Sequence, residues 1–391
     1  MRFFHLSDLH IGLRLYNRDL LEDQRYILDQ IIKTARQEEP DAIVIAGDIY
    51  DRAVPSAEAV ELFDYFVSGL TEHLPRCEIM MISGNHDSPA RIDVYRRVLE
   101  RQNIHMIGLP PMKADQYIEK VVLQDEYGSV GFFLLPFVKP SMVKAIVGTD
   151  ENGNNASYDE TLQRLFRREI EDGRLHPEER NVLVSHQFYL PQGEDAGNIE
   201  RMESEIVTIG NIDQVSTRVL EPFDYAALGH IHKPMKAGRD CWRYCGTPLA
   251  YSVDERGQKK GILEVELKEK GEVSVQLLPL LPLRQVRVME GTSQEVMQHP
   301  TDDYVRIVLT DPAYTPPAIL EMLRRTFPHL LEIVRKIPDR MDYEAGTYAV
   351  RSGKTDPYDL CRDLIGERAK GEELALLREV INKVQGGQGQ A

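Results

Sequence analysis

Several short motifs carry side chains that packing does not call for. Ser7-Asp8-Leu9-His10 sets a carboxylate and an imidazole two residues apart. Gly47-Asp48-Ile49-Tyr50-Asp51 puts an aspartate straight after a glycine. Ser83-Gly84-Asn85-His86-Asp87 offers an amide, an imidazole and a carboxylate in consecutive positions. Further along, His186 closes one apolar run and Gly229-His230-Ile231-His232 closes another. Oxygen and imidazole donors without a thiolate suit Mn²⁺, Fe²⁺ or Zn²⁺ better than a structural cysteine site or an all-oxygen Mg²⁺ site. Four such donors suit one ion. The set Asp8, His10, Asp48, Asn85, His86, His186, His230 and His232 suits two, with one carboxylate shared. Two ions about 3.5–4 Å apart activate a bridging water and neutralise the charge that develops on a phosphodiester. An imidazole left over beside them can protonate a leaving oxygen or stabilise the pentacovalent transition state.

These donors act together only if the chain brings them to one place. Each motif follows an apolar run that reads as a strand: residues 3–7, 41–46, 79–82, 181–185 and 223–228. Residues 20–39 and 56–74 have the apolar spacing of amphipathic helices. Strand–helix–strand order makes parallel βαβ units, so the strands end at one carboxyl edge, where open α/β sheets place ligands. An extended backbone would project Asp8 and His10 to the same side. Five of the eleven histidines follow strand runs in this way. Asp87 is expected to orient its turn or His86.

The remainder supports this core. Residues 89–102 look helical, and Arg91, close behind the donor cluster, is a candidate for phosphate contact together with Arg52. Strands are expected near 121–123 and 131–136, a polar loop at 148–157, a charged helix at 158–172, and a strand with a tight turn at 241–252. Residues 260–278 alternate as a hairpin around Lys270-Gly271. A catalytic domain over 1–278 would close there. Leu278-Pro279-Leu280-Leu281-Pro282-Leu283 reads as a linker into a small α+β domain (279–345), with strand, helix and strand at 303–309, 316–327 and 329–336. Residues 355–384 read as amphipathic helix that packs home or docks on a partner, and 385–391 as a disordered tail.

The chain has 391 residues, enough for two or three domains with a sizeable core. Its formal charge of −16 excludes coating DNA by bulk charge but not a local basic groove. Four cysteines, Cys77, Cys241, Cys245 and Cys361, give no disulfide framework, and Cys241-x-x-x-Cys245 lacks the second pair a zinc site needs. The N-terminal apolar run is too short for a signal peptide, and no stretch reaches membrane-spanning length. The expectation is a reduced, cytoplasmic protein with no membrane partner.

In order, Asp8/His10, Gly47/Asp48/Asp51, Gly84/Asn85/His86/Asp87, His186 and Gly229/His230/His232 resemble the fingerprint of the calcineurin-like metallophosphoesterase superfamily. That fingerprint is specific for two-metal phosphoester chemistry and not for substrate. Gln24-Arg25-Tyr26-Ile27-Leu28, residues 41–52, Val54-Pro55-Ser56, Gly229-His230-Ile231-His232-Lys233-Pro234 and Cys245-Gly246-Thr247-Pro248-Leu249-Ala250-Tyr251-Ser252 resemble the SbcD family, nuclease subunits of bacterial SbcC–SbcD complexes.

The resemblance implies a β-sandwich flanked by helices, with the small domain as a DNA-recognition cap and C-terminal helices. It implies one ion on Asp8, His10, Asp48 and His232, and a second on Asp48, Asn85, His186 and His230. His86 would be catalytic without being a ligand. The ions would be manganese, with Mg²⁺, Fe²⁺ or Zn²⁺ as alternatives. The C-terminal helices would bind an SbcC-like, SMC-type ATPase, with a homodimer inside a heterotetramer. The implied activity is 3′→5′ double-strand exonuclease and endonuclease at hairpins and single strands. Two departures stand out: Leu9 lies where many members have tryptophan, and Asp51 where archaeal and eukaryotic relatives have histidine. Neither removes a ligand, but the second leaves no assigned role for position 51. The competing readings are a small-substrate phosphodiesterase or protein phosphatase on the same site, and a metal-bound scaffold without activity. Pro279–Pro282 and the C-terminal region disfavour the first, and His86 disfavours the second.

Overall fold

The apolar runs form strands, and Ala42–Ala46 is buried along its whole length. A strand with apolar side chains on both faces must be covered on both, as in parallel sheets. Here one face meets a second sheet and the other meets helices. The computed structural model describes residues 1–94, 96–149, 155–191, 202, 205, 213–311, 315–336, 371 and 373–377. Residues 1–336 form one compact unit and 337–391 a second.

The first sheet has six strands in the order Val273–Pro279, Gly261–Leu267, Arg2–Leu6, Ala42–Ala46, Glu78–Ile82 and Ile104–Ile107. The last four are mutually parallel, and the first two form the expected hairpin, pairing antiparallel. The second sheet also has six strands: Met235–Lys236, Trp242–Tyr244, Tyr225–Leu228, Arg180–Ser185, Gly128–Leu135 and Glu119–Asp125. Its middle four are parallel. Phe3, Val44 and Met80 of one sheet pack against Phe132, Val184 and Tyr225 of the other. Phe3 and Phe132 meet edge to face at 5.3 Å, a favoured aromatic geometry.

Helices cover the outer faces. Leu21–Glu38 and Ala57–His73 lay Ile27, Ile31, Phe66 and Leu70 over Ile43, Ile45 and Ile79. Tyr158–Glu171 lays Leu162, Leu165 and Phe166 over Phe133 and Leu183. Ser56 and Ser157 cap two of these helices, each accepting an amide hydrogen three residues on.

Val286–Gly291, Tyr304–Leu309 and Leu330–Arg335 form a parallel three-stranded sheet with Ser293–Met297 and Pro317–Thr326 as its helices. Val305, Ile307, Leu323 and Phe327 give it a hydrophobic cluster of its own. Buried Asp23 ties it to the sandwich, accepting from Arg284 Nη1 at 2.9 Å and Tyr304 Oη at 2.7 Å.

Some expectations change. Residues 89–102 are not one helix but Pro89–Ile92, Arg96–Leu99 and a tight turn at Glu100–Gln102. Asp93 interrupts them: its side chain accepts the Gly108 amide at 3.2 Å, a local bond that competes with helix continuation. The strands Ile104–Ile107 and Val286–Gly291 were not expected. Residues 150–154 of the polar loop, 337–345 of the small domain, the helix over 355–384 apart from 371 and 373–377, and the tail 385–391 lie outside the described residues. Among the described residues, no helix is long and apolar enough to cross a membrane. Cys77, Cys241 and Cys245 are free thiols.

Candidate metal centre

In the first sheet, adjacent parallel strands end at Leu6, Ala46 and Ile82; in the second, at Ser185 and Leu228. All five ends lead into the polar motifs. Both sheets therefore deliver donors to one edge of the sandwich.

The chain turns sharply there. Asp8, His10, Asp48 and His230 have φ of 52°, 42°, 49° and 91°. This left-handed region is uncommon outside glycine and clusters at functional sites. Bonds between the motifs accompany it: the Asp8 amide donates to Gly47 O, the His10 amide to Asp48 O and the His230 amide to Asp8 Oδ1, each at 3.0 Å. The extended backbone expected for Asp8 and His10 is thus replaced by a tether to the neighbouring turn. The motif glycines leave room for the donors. A Cβ on Gly47 would lie 2.3 Å from His186 Nδ1, and one on Gly229 would lie 2.0 Å from Ala46 O.

The eight predicted residues come together. Asp8, His10 and His232 offer donor atoms within 4.8 Å of one another, as do Asp8, Asp48 and His186, and likewise His10, Asp48 and His86. Asn85 Oδ1 lies 3.0 Å from His186 Nε2 and 2.9 Å from His230 Nδ1. Asp48 Oδ2 is 3.2 Å from His186 Nε2 and 3.6 Å from His10 Nε2. Asp8, His10, Asp48, His186, His230 and His232 are buried, and Asn85 and His86 half-buried. The two arginines stand apart in character. Arg52 is exposed and pairs with Asp51 Oδ2 at 3.3 Å, and Arg91 is exposed on Pro89–Ile92.

The donor chemistry fits divalent cations. His186 Nδ1 lies 2.7 Å from Ala46 O. A carbonyl only accepts, so Nδ1 carries the hydrogen and Nε2 presents its lone pair to Asn85 Oδ1 and Asp48 Oδ2, which are acceptors themselves. His232 Nδ1 faces Glu255 Oε1 at 3.4 Å, which turns its Nε2 towards His10 Nε2 at 3.1 Å. Lone pairs facing one another in a dry interior are reconciled by a cation between them. With protons alone, burial would lower His186, but Asp48 and Asp8 override it and push it up to about 9. Burial, followed by the surrounding imidazoles, drives His10 well below its usual value despite Asp48. Burial would raise Asp48, but His186 and His10 hold it far below the carboxylate range.

His86 is held differently. Its amide donates to Asp48 Oδ1 at 2.9 Å, and its Nδ1 donates to Asp51 O at 3.0 Å. Nε2 is then the ring atom left for proton traffic. Asp51 positions His86 through its carbonyl, while its carboxylate stands 3.9 Å from His10 Nδ1. Asp87 orients the turn: it accepts the amides of Ile49, Tyr50 and Gly84 at 2.9–3.0 Å.

Supporting residues were missed from sequence. Gln24 Nε2 donates to His10 O at 2.8 Å, and Tyr251 Oη donates to Leu9 O. Glu255 and Lys260 are buried beside His232. Their signal was weak: a polar turn, Ser252 to Glu255, after the strand Trp242–Tyr244.

Residues 1–234 match the calcineurin-like phosphoesterase family, a stretch that takes in all eight donors. The chain belongs to that family. Calcineurin-like phosphoesterases are metal-dependent hydrolases with a dimetal centre, and the Asp and His groups described above are candidate ligands for one here. Their fold agrees with the mixed α/β sandwich described here.

Three solved structures are similar at low identity. TT1561 of Thermus thermophilus has 13% identity and a TM-score of 0.39, covering 71% of this chain and 98% of its own. GAP50, the anchor in the inner membrane complex of Plasmodium, has 11% identity and a TM-score of 0.39, covering 87% and 98%. A dimetal phosphatase from Danio rerio has 13% identity and a TM-score of 0.37, covering 69% and 93%.

Proposed function

We propose that this phosphoesterase is a Mn²⁺-dependent DNA nuclease, a 3′→5′ double-strand exonuclease and hairpin or single-strand endonuclease. It would process DNA ends in repair and recombination beside an SMC-type ATPase. One observation carries the phosphodiester chemistry: the Asp48 carboxylate lies within reach of His10 on one side and His186 on the other. The choice of DNA rests on the SbcD-like motifs, which extend beyond the donors to residues 245–252.

In this reading Asp8, His10, Asp48 and His232 hold one ion, and Asp48, Asn85, His186 and His230 hold the other. When bound, the pair supplies an activated water and neutralises charge on the phosphate. His86, fixed by Asp51 O, presents Nε2 to the leaving oxygen and donates a proton there. The buried donors exclude bulk water, so charge on the phosphate is felt strongly. Arg52 and Arg91 are the proposed phosphate contacts, the small α+β domain the proposed DNA cap, and residues 355–384 the proposed ATPase dock in a cytoplasmic heterotetramer.

The test is Mn²⁺-dependent cleavage of a blunt duplex compared with a cyclic dinucleotide, with and without the ATPase partner. Preference for the duplex supports the reading. Turnover of the cyclic dinucleotide alone would assign the same site to a small-substrate phosphodiesterase.

A further inference from the structure

Lys260 and Glu255 form an ion pair 2.7 Å apart in the interior, with side chains only 6% and 0% exposed. An interior pair is costly to desolvate and contributes little net stability unless further hydrogen bonds complete it. Here they are complete. Lys260 Nζ has three hydrogens and three acceptors: Glu255 Oε2 at 2.7 Å, Thr247 Oγ1 at 2.7 Å and His232 O at 2.9 Å. Glu255 Oε1 accepts from Ser252 Oγ at 3.0 Å and faces His232 Nδ1 at 3.4 Å.

The pair therefore grips one residue twice, His232 by its carbonyl and by its ring. A hydrophobic pair could fill the same volume, but it could not fix which ring nitrogen carries the hydrogen. Glu255 does so, because a carboxylate opposite Nδ1 keeps the hydrogen there and leaves the Nε2 lone pair for the centre.

We propose that Glu255 is the positioning residue for His232, held in place and in charge by Lys260, and that it sets cation affinity at the Asp8–His10–His232 group. The proposal rests on the metal-centre reading above. Neither residue touches the reacting atoms; both act through His232.

Mn²⁺ titration calorimetry tests it on the whole chain. Glu255→Gln should weaken one of two ions by about 10–100-fold, the usual loss when the partner of a ligating histidine is removed, and leave the other within about twofold. In a His232→Ala background the same substitution should cost nothing further, since its route is gone. An unchanged affinity in Glu255→Gln, or an equal loss in both backgrounds, overturns the proposal.

Should Glu255→Gln fail to fold with Lys260 left unpaired, the Glu255→Gln/Lys260→Met double variant buries no charge. It should fold and show the same selective loss, and wild-type affinity in it also overturns the proposal. A wild-type chain that takes up no Mn²⁺ would instead overturn the metal-centre reading, and this proposal with it.

Discussion

A Cβ on Gly84 would lie 2.1 Å from Asp48 Oδ1 and 2.4 Å from the Asp48 amide nitrogen. The glycine that opens the third motif is therefore empty space for the carboxylate of the second. Gly84→Ala must push Asp48 away from His10 and His186, because the contact is with a short side chain and with backbone. Overpacking of this kind costs about 1–3 kcal/mol. Mn²⁺ content after dialysis should fall for both ions, and a variant that retains two ions would show that Asp48 need not sit where it does.

Asp48→Ala removes the carboxylate common to the His10–Asp48–His86 and Asp8–Asp48–His186 groups. Metal analysis should find both ions lost, with the sandwich core intact by circular dichroism. One ion still tightly bound would contradict the bridge.

His5 predicts a pH dependence that comes from the core. It lies between the sheets, fully buried, with Nδ1 2.9 Å from Tyr225 Oη. Burial lowers it from the ordinary 6.5 to about 3, against a smaller opposing effect of the Leu228 backbone. Between those values the unfolded chain binds a proton that the folded chain does not. Stability from this residue is therefore full above pH 6.5 and falls as pH drops towards 3, by roughly 1.4 kcal/mol per pH unit. Urea unfolding of the metal-stripped chain between pH 6.5 and pH 4.5 should show a slope shallower by one proton in His5→Gln. Equal slopes would mean that His5 is protonated inside the fold.

Truncation before Asp356 should leave Mn²⁺ binding unchanged and abolish co-purification with the proposed ATPase partner. Survival of that complex would place the dock elsewhere on the chain.

The donor set was legible because each donor follows a continuous apolar run. The βαβ order of the first three strands forces parallel ends, so Asp8, Asp48 and Asn85 had to converge. The same pattern at Ser185 and Leu228 carried His186, His230 and His232 to the edge from the second sheet. What lay beneath the donors was not legible. The left-handed turns at Asp8, His10, Asp48 and His230 are each bonded to another segment, which no local pattern announces. Glu255 drew no reading and Lys260 read only as the start of a hairpin strand, yet the fold buries both against His232. Ile104–Ile107 escaped because it is a short edge strand that, among the described residues, pairs only with Glu78–Ile82, and half-exposed His105 interrupts its apolar run.

DNA hydrolysis at this donor cluster, with His86 as its acid, is the activity proposed above. The direct measurement is cleavage of an end-labelled blunt duplex in Mn²⁺ by the wild type and by His86→Ala, each shown beforehand to carry two ions. The wild type should release nucleotides from the 3′ ends, and the variant should lose about 10²–10⁴-fold, the usual contribution of a positioned acid. Equal cleavage by the two proteins would remove His86 from the mechanism, and an intact duplex with the metal-loaded wild type and its ATPase partner would contradict the nuclease itself.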